Sequence, residues 1–198
     1  MITQQNPEIE AFSMFIGAID PWLDQVVLVG GWAHRLYRLD SRARELPYLP
    51  LTTLDGDVAV PAKLPAKDSD VRTRLLEAGF KEEFVGDGQP PTTHYHYGER
   101  GSFYVEFLTS LVGSAYDRSG RPKATRQVSG ISSQLLRYIE ILMVSPWTIE
   151  LGGENGYPFA PAKKIQIANP TSFLAQKILI HRELQRSRQR SPLYARYD

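Results

Sequence analysis

Two aspartates, Asp55 and Asp57, stand two positions apart in TTLDGDVAVP (residues 52–61), a stretch that otherwise reads as a β-strand. Aspartate is depleted from strands. Successive strand side chains alternate between the two faces of a sheet, so a strand would set both carboxylates on one face, like charge beside like charge. That arrangement calls for a compensating cation. The competing reading is a β-turn, because Asp-Gly is a strong turn signal.

The surrounding sequence alternates helix and strand signals. Pro7 to Ile19 carries apolar residues at helical spacing (Ile9, Phe12, Phe15, Ile16, Ile19), with Asn6 as its cap. Gln25 to Val29 is an apolar run that fits a buried strand. It ends in Gly30-Gly31, read as a turn, and Trp32 to Asp40 is helical. A polar, proline-bearing loop, SRARELPYLP, leads into the aspartate segment. Lys67 to Gly79 reads as a second helix capped by Asp68 or Ser69, and Phe80 to Val85 as a strand. Thr92 to Tyr97 and Ser102 to Leu108 form two arms of a hairpin joined by GERG. Leu135 to Ile149 is apolar without a single period. Ala162 to Ala168 alternates like a strand, and Asn169-Pro170 opens a long helix, TSFLAQKILIHRELQRSRQR.

The expected fold is α/β (α+β): a small mixed, mainly antiparallel sheet with helices on one side, plus a C-terminal helical and strand region. A boundary near Gly120 divides the chain into residues 1–120, a catalytic core, and 121–198, a region with a long basic helix; the alternative is one domain.

A third acid sits in Tyr104-Val105-Glu106-Phe107-Leu108, an otherwise apolar strand. A charge there is costly to bury unless it is paired or binds a cation. If this strand neighbours the aspartate strand, three carboxylates converge into a hard-oxygen cage suited to magnesium or manganese. Two such ions stabilise the attacking and leaving oxygens of a phosphoryl displacement. Gly30-Gly31 and the helix N-terminus that follows offer backbone N–H groups to a phosphate.

Gly-Gly after a strand, then Thr53-x-Asp55-x-Asp57, then a lone acid on a later strand, resembles the DNA polymerase β-like nucleotidyltransferase superfamily. Within it the chain is most similar to the minimal bacterial members grouped with AbiEii-type toxins. The run Pro170-x-x-Phe173-x-x-x-Lys177 is similar to that group's C-terminal helix, followed by a basic stretch and a late acid, Asp198. The resemblance implies the nucleotidyltransferase fold. It also implies transfer of a nucleotidyl group from an NTP to a hydroxyl or phosphate acceptor (RNA, protein or small molecule), with magnesium or manganese. Asp55 and Asp57 would bind both metals, and Glu106 would complete one metal site and help activate the acceptor. Gly30, Gly31 and Lys177 would hold the nucleotide phosphates, with Thr53 and Asp198 as further candidates. A toxin or antitoxin partner protein is also implied. The alternative is a catalytically inactive relative acting as a binding or regulatory module. Three departures from the family pattern stand out: Gly-Gly for the common Gly-Ser, Gly56 for a bulky apolar residue between the aspartates, and Glu106 as the third acid.

Other features carry blander readings. His94 and His96 fall on one strand face and suggest zinc, but no third ligand has the right spacing, so they are assigned to the surface. Trp22, Trp32 and Trp147 are core candidates, although Trp32, next to the glycines, could flank a base. Lys177 could simply snorkel at the edge of an apolar stripe. Arg182, Arg186, Arg188 and Arg190 read as a solvated helix face, with RNA or nucleotide phosphate as the sharper alternative. The 198 residues carry a formal net charge of +1, which selects neither nucleic acid nor membrane as partner. With no cysteine, thiol catalysis and thiolate metal sites are excluded. No apolar run approaches the roughly 20 residues of a membrane span, and the N-terminus lacks the pattern of a signal peptide, so a cytoplasmic protein is expected.

Overall fold

The structure, a computed structural model, describes residues 7–44, 47–48, 53–65, 67–86, 91–99, 102–120 and 123–190, with the backbone alone at 183–184 and 186–190. Asn6, Asp198 and the side chains of Arg186, Arg188 and Arg190 lie outside the described residues.

The aspartate segment is a strand. In chain order the elements are α1 (Pro7–Ala18), β1 (Val27–Val29), α2 (Gly30–Leu36), β2 (Asp55–Ala59), α3 (Val71–Glu77), β3 (Phe80–Val85) and β4 (Thr92–Tyr97). They continue with β5 (Tyr104–Ser110), β6 (Thr125–Val128), β7 (Ile131–Leu136), α4 (Ile139–Leu142), β8 (Trp147–Leu151), β9 (Lys163–Ile167) and α5 (Pro170–Arg190). All nine strands belong to one mixed sheet, ordered β3-β4-β5-β2-β1-β9-β8, with β7 also pairing β5 and β6 pairing β7. The β1–β9, β2–β5 and β5–β7 pairs are parallel and the others antiparallel. Helices flank both faces rather than one.

The two faces are unequal, and strand alternation explains how. On one face Val58, Val105, Phe107 and Tyr95 pack against Phe12, Phe15 and Ile16 of α1, Trp32 and Leu36 of α2, and Val71 and Leu75 of α3. Each such side chain contributes roughly 1.5–3 kcal/mol on burial, so this face carries most of the stability. The opposite face has a smaller apolar cluster: Val27, Val29, Ala59 and Leu108 against Ile139, Leu142 and Ala168, with Phe173 of α5 partly buried beside them. The residues that alternate with the large core, Asp55, Asp57, Tyr104 and Glu106, continue this second face beyond its apolar cluster.

Several local expectations are corrected. Gly30-Gly31 is the first turn of α2 itself, directly after β1, and not a separate turn. The cap of α3 is Asp70, whose Oδ1 accepts from Thr73 N–H at 2.7 Å, in place of Asp68 or Ser69. The hairpin of β6 and β7 went unread. The apolar run 135–149 has no single period because it serves the end of β7, one turn of α4 and the start of β8, with Tyr138 left-handed at φ 64° between the first two.

Asn169 fixes α5 to the sheet. Its Oδ1 accepts from Ser172 N–H at 2.8 Å as the helix cap, while its Nδ2 donates to the carbonyls of Val144 and Ser145 at 2.9 and 3.0 Å. Asn169→Ala is expected to lower stability by roughly 2 kcal/mol, from the lost cap and the orphaned carbonyls. Asn169→Asp, which keeps the cap acceptor and loses the donors, should fall between it and wild type in denaturant titration.

Candidate active site

The register of β2 against β5 builds the site. In this parallel pair Asp55 lies beside Tyr104 and Asp57 beside Glu106, so all four side chains rise from the same face. β1 pairs β2 on the other side, with Val29 opposite Asp57. The three carboxylates feel one another. Burial pushes the Asp57 carboxyl up to about 6, with further contributions from the charges of Asp55 and Glu106, while the nearby Lys177 ammonium pulls the other way. Burial and then the charge of Asp55 raise Glu106 as well. The Tyr104 phenol is raised by burial and then by Glu106, Asp55 and Asp57. Lys177 comes from α5, where it is exposed, with its Nζ 5.0 Å from the centre of the Phe173 ring.

Such crowding of like charge, with one lysine above it, is a poor way to stabilise a fold and a suitable seat for a cationic or phosphate-bearing ligand. A family model described as Nucleotidyltransferase matches residues 11–197. The chain belongs to that nucleotidyltransferase family. No curated protein and no solved structure matches it.

The nucleotidyltransferase uses its paired glycines for close approach. Gly30 has φ +64°, and a Cβ there would stand 2.1 Å from Asp57 Oδ2. A Cβ on Gly31 would stand 2.3 Å from Thr53 Oγ1. The glycines therefore let the start of α2 descend onto β2 and touch the aspartate and threonine of the motif. Gly56 has a similar cause: a Cβ there would meet the Phe103 ring at 3.1 Å, where a bulky residue has no room. Gly30→Ala is expected to cost roughly 1–3 kcal/mol from backbone strain alone, with Asp57 displaced besides. Gly17→Ala in α1, where an added Cβ would meet nothing within 4 Å beyond its own helix, should be neutral or slightly stabilising. Comparing the thermal melts of the two variants checks this.

Trp32 is packed as a core residue. It is 1% exposed, with Phe12 stacked on it at 3.9 Å and 2°, Phe103 edge-on at 5.9 Å and Arg35 over the ring at 4.7 Å. Thr53 Oγ1 donates weakly to the Asp55 carbonyl at 3.4 Å. The side chains of His94 and His96, expected at the surface, are only 18% and 13% exposed and share the face of the acids. His94 Nε2 stands 2.6 Å from Glu106 Oε1, and His96 Nε2 stands 2.8 Å from Glu83 Oε2. Their rings bracket Tyr104, His94 stacked on it at 4.8 Å and 15°, His96 tilted at 5.2 Å. Sequence reasoning missed both His94 and Tyr104 as neighbours of the acids. The signal was available in the period-two alternation that put His94 and His96 on one face.

Among the described residues no group of three or more His, Cys, Asp or Glu side chains is arranged to hold a metal ion. No helix among the described residues is long and apolar enough to cross a membrane.

Proposed function

We propose that the protein transfers a nucleotidyl group from a nucleoside triphosphate to a hydroxyl or phosphate acceptor, releasing pyrophosphate. The observation that carries this reading is the β2–β5 register, with Asp57 beside Glu106 and Asp55 one alternation away on the same face. Three carboxylates are a hard-oxygen donor set, and burial, with the charges of Asp55 and Glu106 added to it, pushes Asp57 toward its protonated form, which a divalent cation would counter. The chemistry of this donor set suits magnesium or manganese, which Asp55, Asp57 and Glu106 would hold. Bound there, the metal would supply charge stabilisation to the phosphoryl group as it changes partners.

The chain's own groups have distinct tasks on this reading. Lys177 brings its ammonium over the acid face and binds phosphate oxygens. Glu106 completes the metal site and helps activate the acceptor hydroxyl, whose oxygen attacks the α-phosphorus as the bond to pyrophosphate breaks and whose proton passes to solvent. Gly30 and Gly31 shape the nucleotide pocket by seating Asp57 and Thr53, with any backbone contact to phosphate additional to that role. The rest of the rate enhancement is positioning.

The Pro170-x-x-Phe173-x-x-x-Lys177 helix supports placement within the AbiEii-type group, with RNA among the acceptors and a toxin or antitoxin as protein partner. A second reading, an inactive binding module, draws support from the 2.6 Å approach of His94 to Glu106 and the spread of the acids. Incubation with each labelled NTP, magnesium and cell extract tests the two. Labelled product that requires the divalent ion is the expected result, and no transfer with any NTP or with manganese overturns it.

A further inference from the structure

His94 does not touch Asp55 or Asp57 in any contact described above, and the proposed reaction gives it no role. Yet its placement is specific. It stands on β4, the neighbour of β5 away from β2, so Glu106 lies between His94 on one side and Asp57 on the other. Its Nε2 is within hydrogen-bonding distance of Glu106 Oε1. Its ring is braced by the near-parallel Tyr104, which is itself the register neighbour of Asp55. A glutamate has one more rotatable bond than an aspartate, so a third acid of this type needs something to hold its direction.

We propose that His94 is a positioning residue for the divalent-ion site: its Nε2–H occupies one oxygen of Glu106 and leaves the other turned toward Asp55 and Asp57. This inference rests on the metal-dependent reading given above. Ionised Glu106 only accepts hydrogen bonds, so the proton must sit on Nε2 of the imidazole. Outer partners of this kind set the orientation of a ligating group and the affinity of the metal it binds.

Calorimetric titration of the full chain with Mn2+ alone tests this without reference to turnover. His94→Phe keeps a ring to stack on Tyr104 but has no donor. His94→Gln keeps an N–H at a similar distance along the side chain. His94→Phe should weaken Mn2+ binding by about tenfold to a hundredfold, whereas His94→Gln should stay near wild type. In a Glu106→Gln background, His94→Phe should have no further effect, because the group it orients is no longer a ligand. Where the phenyl ring is not accommodated and the chain does not fold, His94→Leu serves as the donor-free variant. Wild-type affinity in the donor-free variant, equal loss in His94→Gln, or an undiminished effect in the Glu106→Gln background each overturns the positioning role while leaving the metal site standing. A wild-type protein that binds no Mn2+ overturns the metal reading and this inference together.

Discussion

Replacing Asp55 and Asp57 together by asparagine removes nucleotidyl transfer and leaves the protein, in chelator, at least as stable as wild type. On the proposed reading the two carboxylates are the shared ligands of the divalent ion, so the loss in rate should be on the order of a thousandfold or more, larger than for one electrostatic donor. The stability forecast has the opposite sign from that for a structural Asp-Gly turn. The Asp57 carboxyl lies at about 6 in the fold against an ordinary 3.8, so the folded chain holds that proton more tightly than the unfolded one. In chelator, the contribution of Asp57 to wild-type stability is therefore greatest below pH 4, falls as pH rises toward 6 and stays lower above it, by up to roughly 3 kcal/mol. Asparagine carries no charge to repel its neighbours, so the Asp57 part of the slope should disappear and only the part from the burial of Glu106 should remain. Thermal melts between pH 4 and pH 7, with chelator and with magnesium–NTP, separate the readings: wild type should gain from the ligand and the double variant should not. A variant that is destabilised, beside a wild type blind to ligand, would return the segment to a purely structural role.

Lys177→Ala should weaken NTP binding by about tenfold to a hundredfold, the range of one charge-assisted contact worth roughly 1.5–3 kcal/mol. A merely snorkelling lysine packed on Phe173 predicts unchanged affinity. A second readout comes from Asp57. The Lys177 ammonium opposes the upward push on that carboxyl, so its removal should raise Asp57 further. The pH-dependent loss of stability in chelator then extends to higher pH than in wild type. Lys177→Arg keeps the charge and should restore the pH profile, but a planar guanidinium replaces a compact ammonium, so nucleotide affinity should recover only in part. Calorimetry with NTP and melts across the same pH range check both.

The strands of the site were legible because period-two alternation is written directly in the side chains. Thr92 to Tyr97 and Phe80 to Val85 carry turn residues at their ends, and their bounds could be read. Asp55 and Glu106 could be assigned to strands, but their meeting could not be deduced from local pattern, because it depends on a parallel register between strands separated by α3 and a hairpin. The neighbour of Gly30 was hidden for a related reason. A glycine pair after a strand signals close approach, and only the fold reveals that what approaches is Asp57 and not a vacant pocket. His94 looked like surface because hairpin histidines commonly are. It is held inward by Glu106 and Tyr104, two partners that come from the neighbouring strand. The run 135–149 was illegible since its apolar residues serve three short elements with different periods.

The earliest strand among the described residues lies inside the sheet, not at its edge. β1 pairs on one edge with β2, through Val29 and Asp57, and on the other with β9, where Leu28 meets Ile167. As the chain leaves the ribosome, the first edge of β1 can be covered early. The second stays bare until β9 has been synthesised, roughly ten seconds or more later at common translation rates. Lys177 arrives later still, on the helix that follows β9. Half-made chains thus carry the acid pair without the cation that tempers it, and with an unpaired apolar edge open to other strands. The order of synthesis therefore postpones the finished acid face to the last stage of folding, and the exposed edge of Val27, Leu28 and Val29 is where a nascent chain is most vulnerable to mispairing.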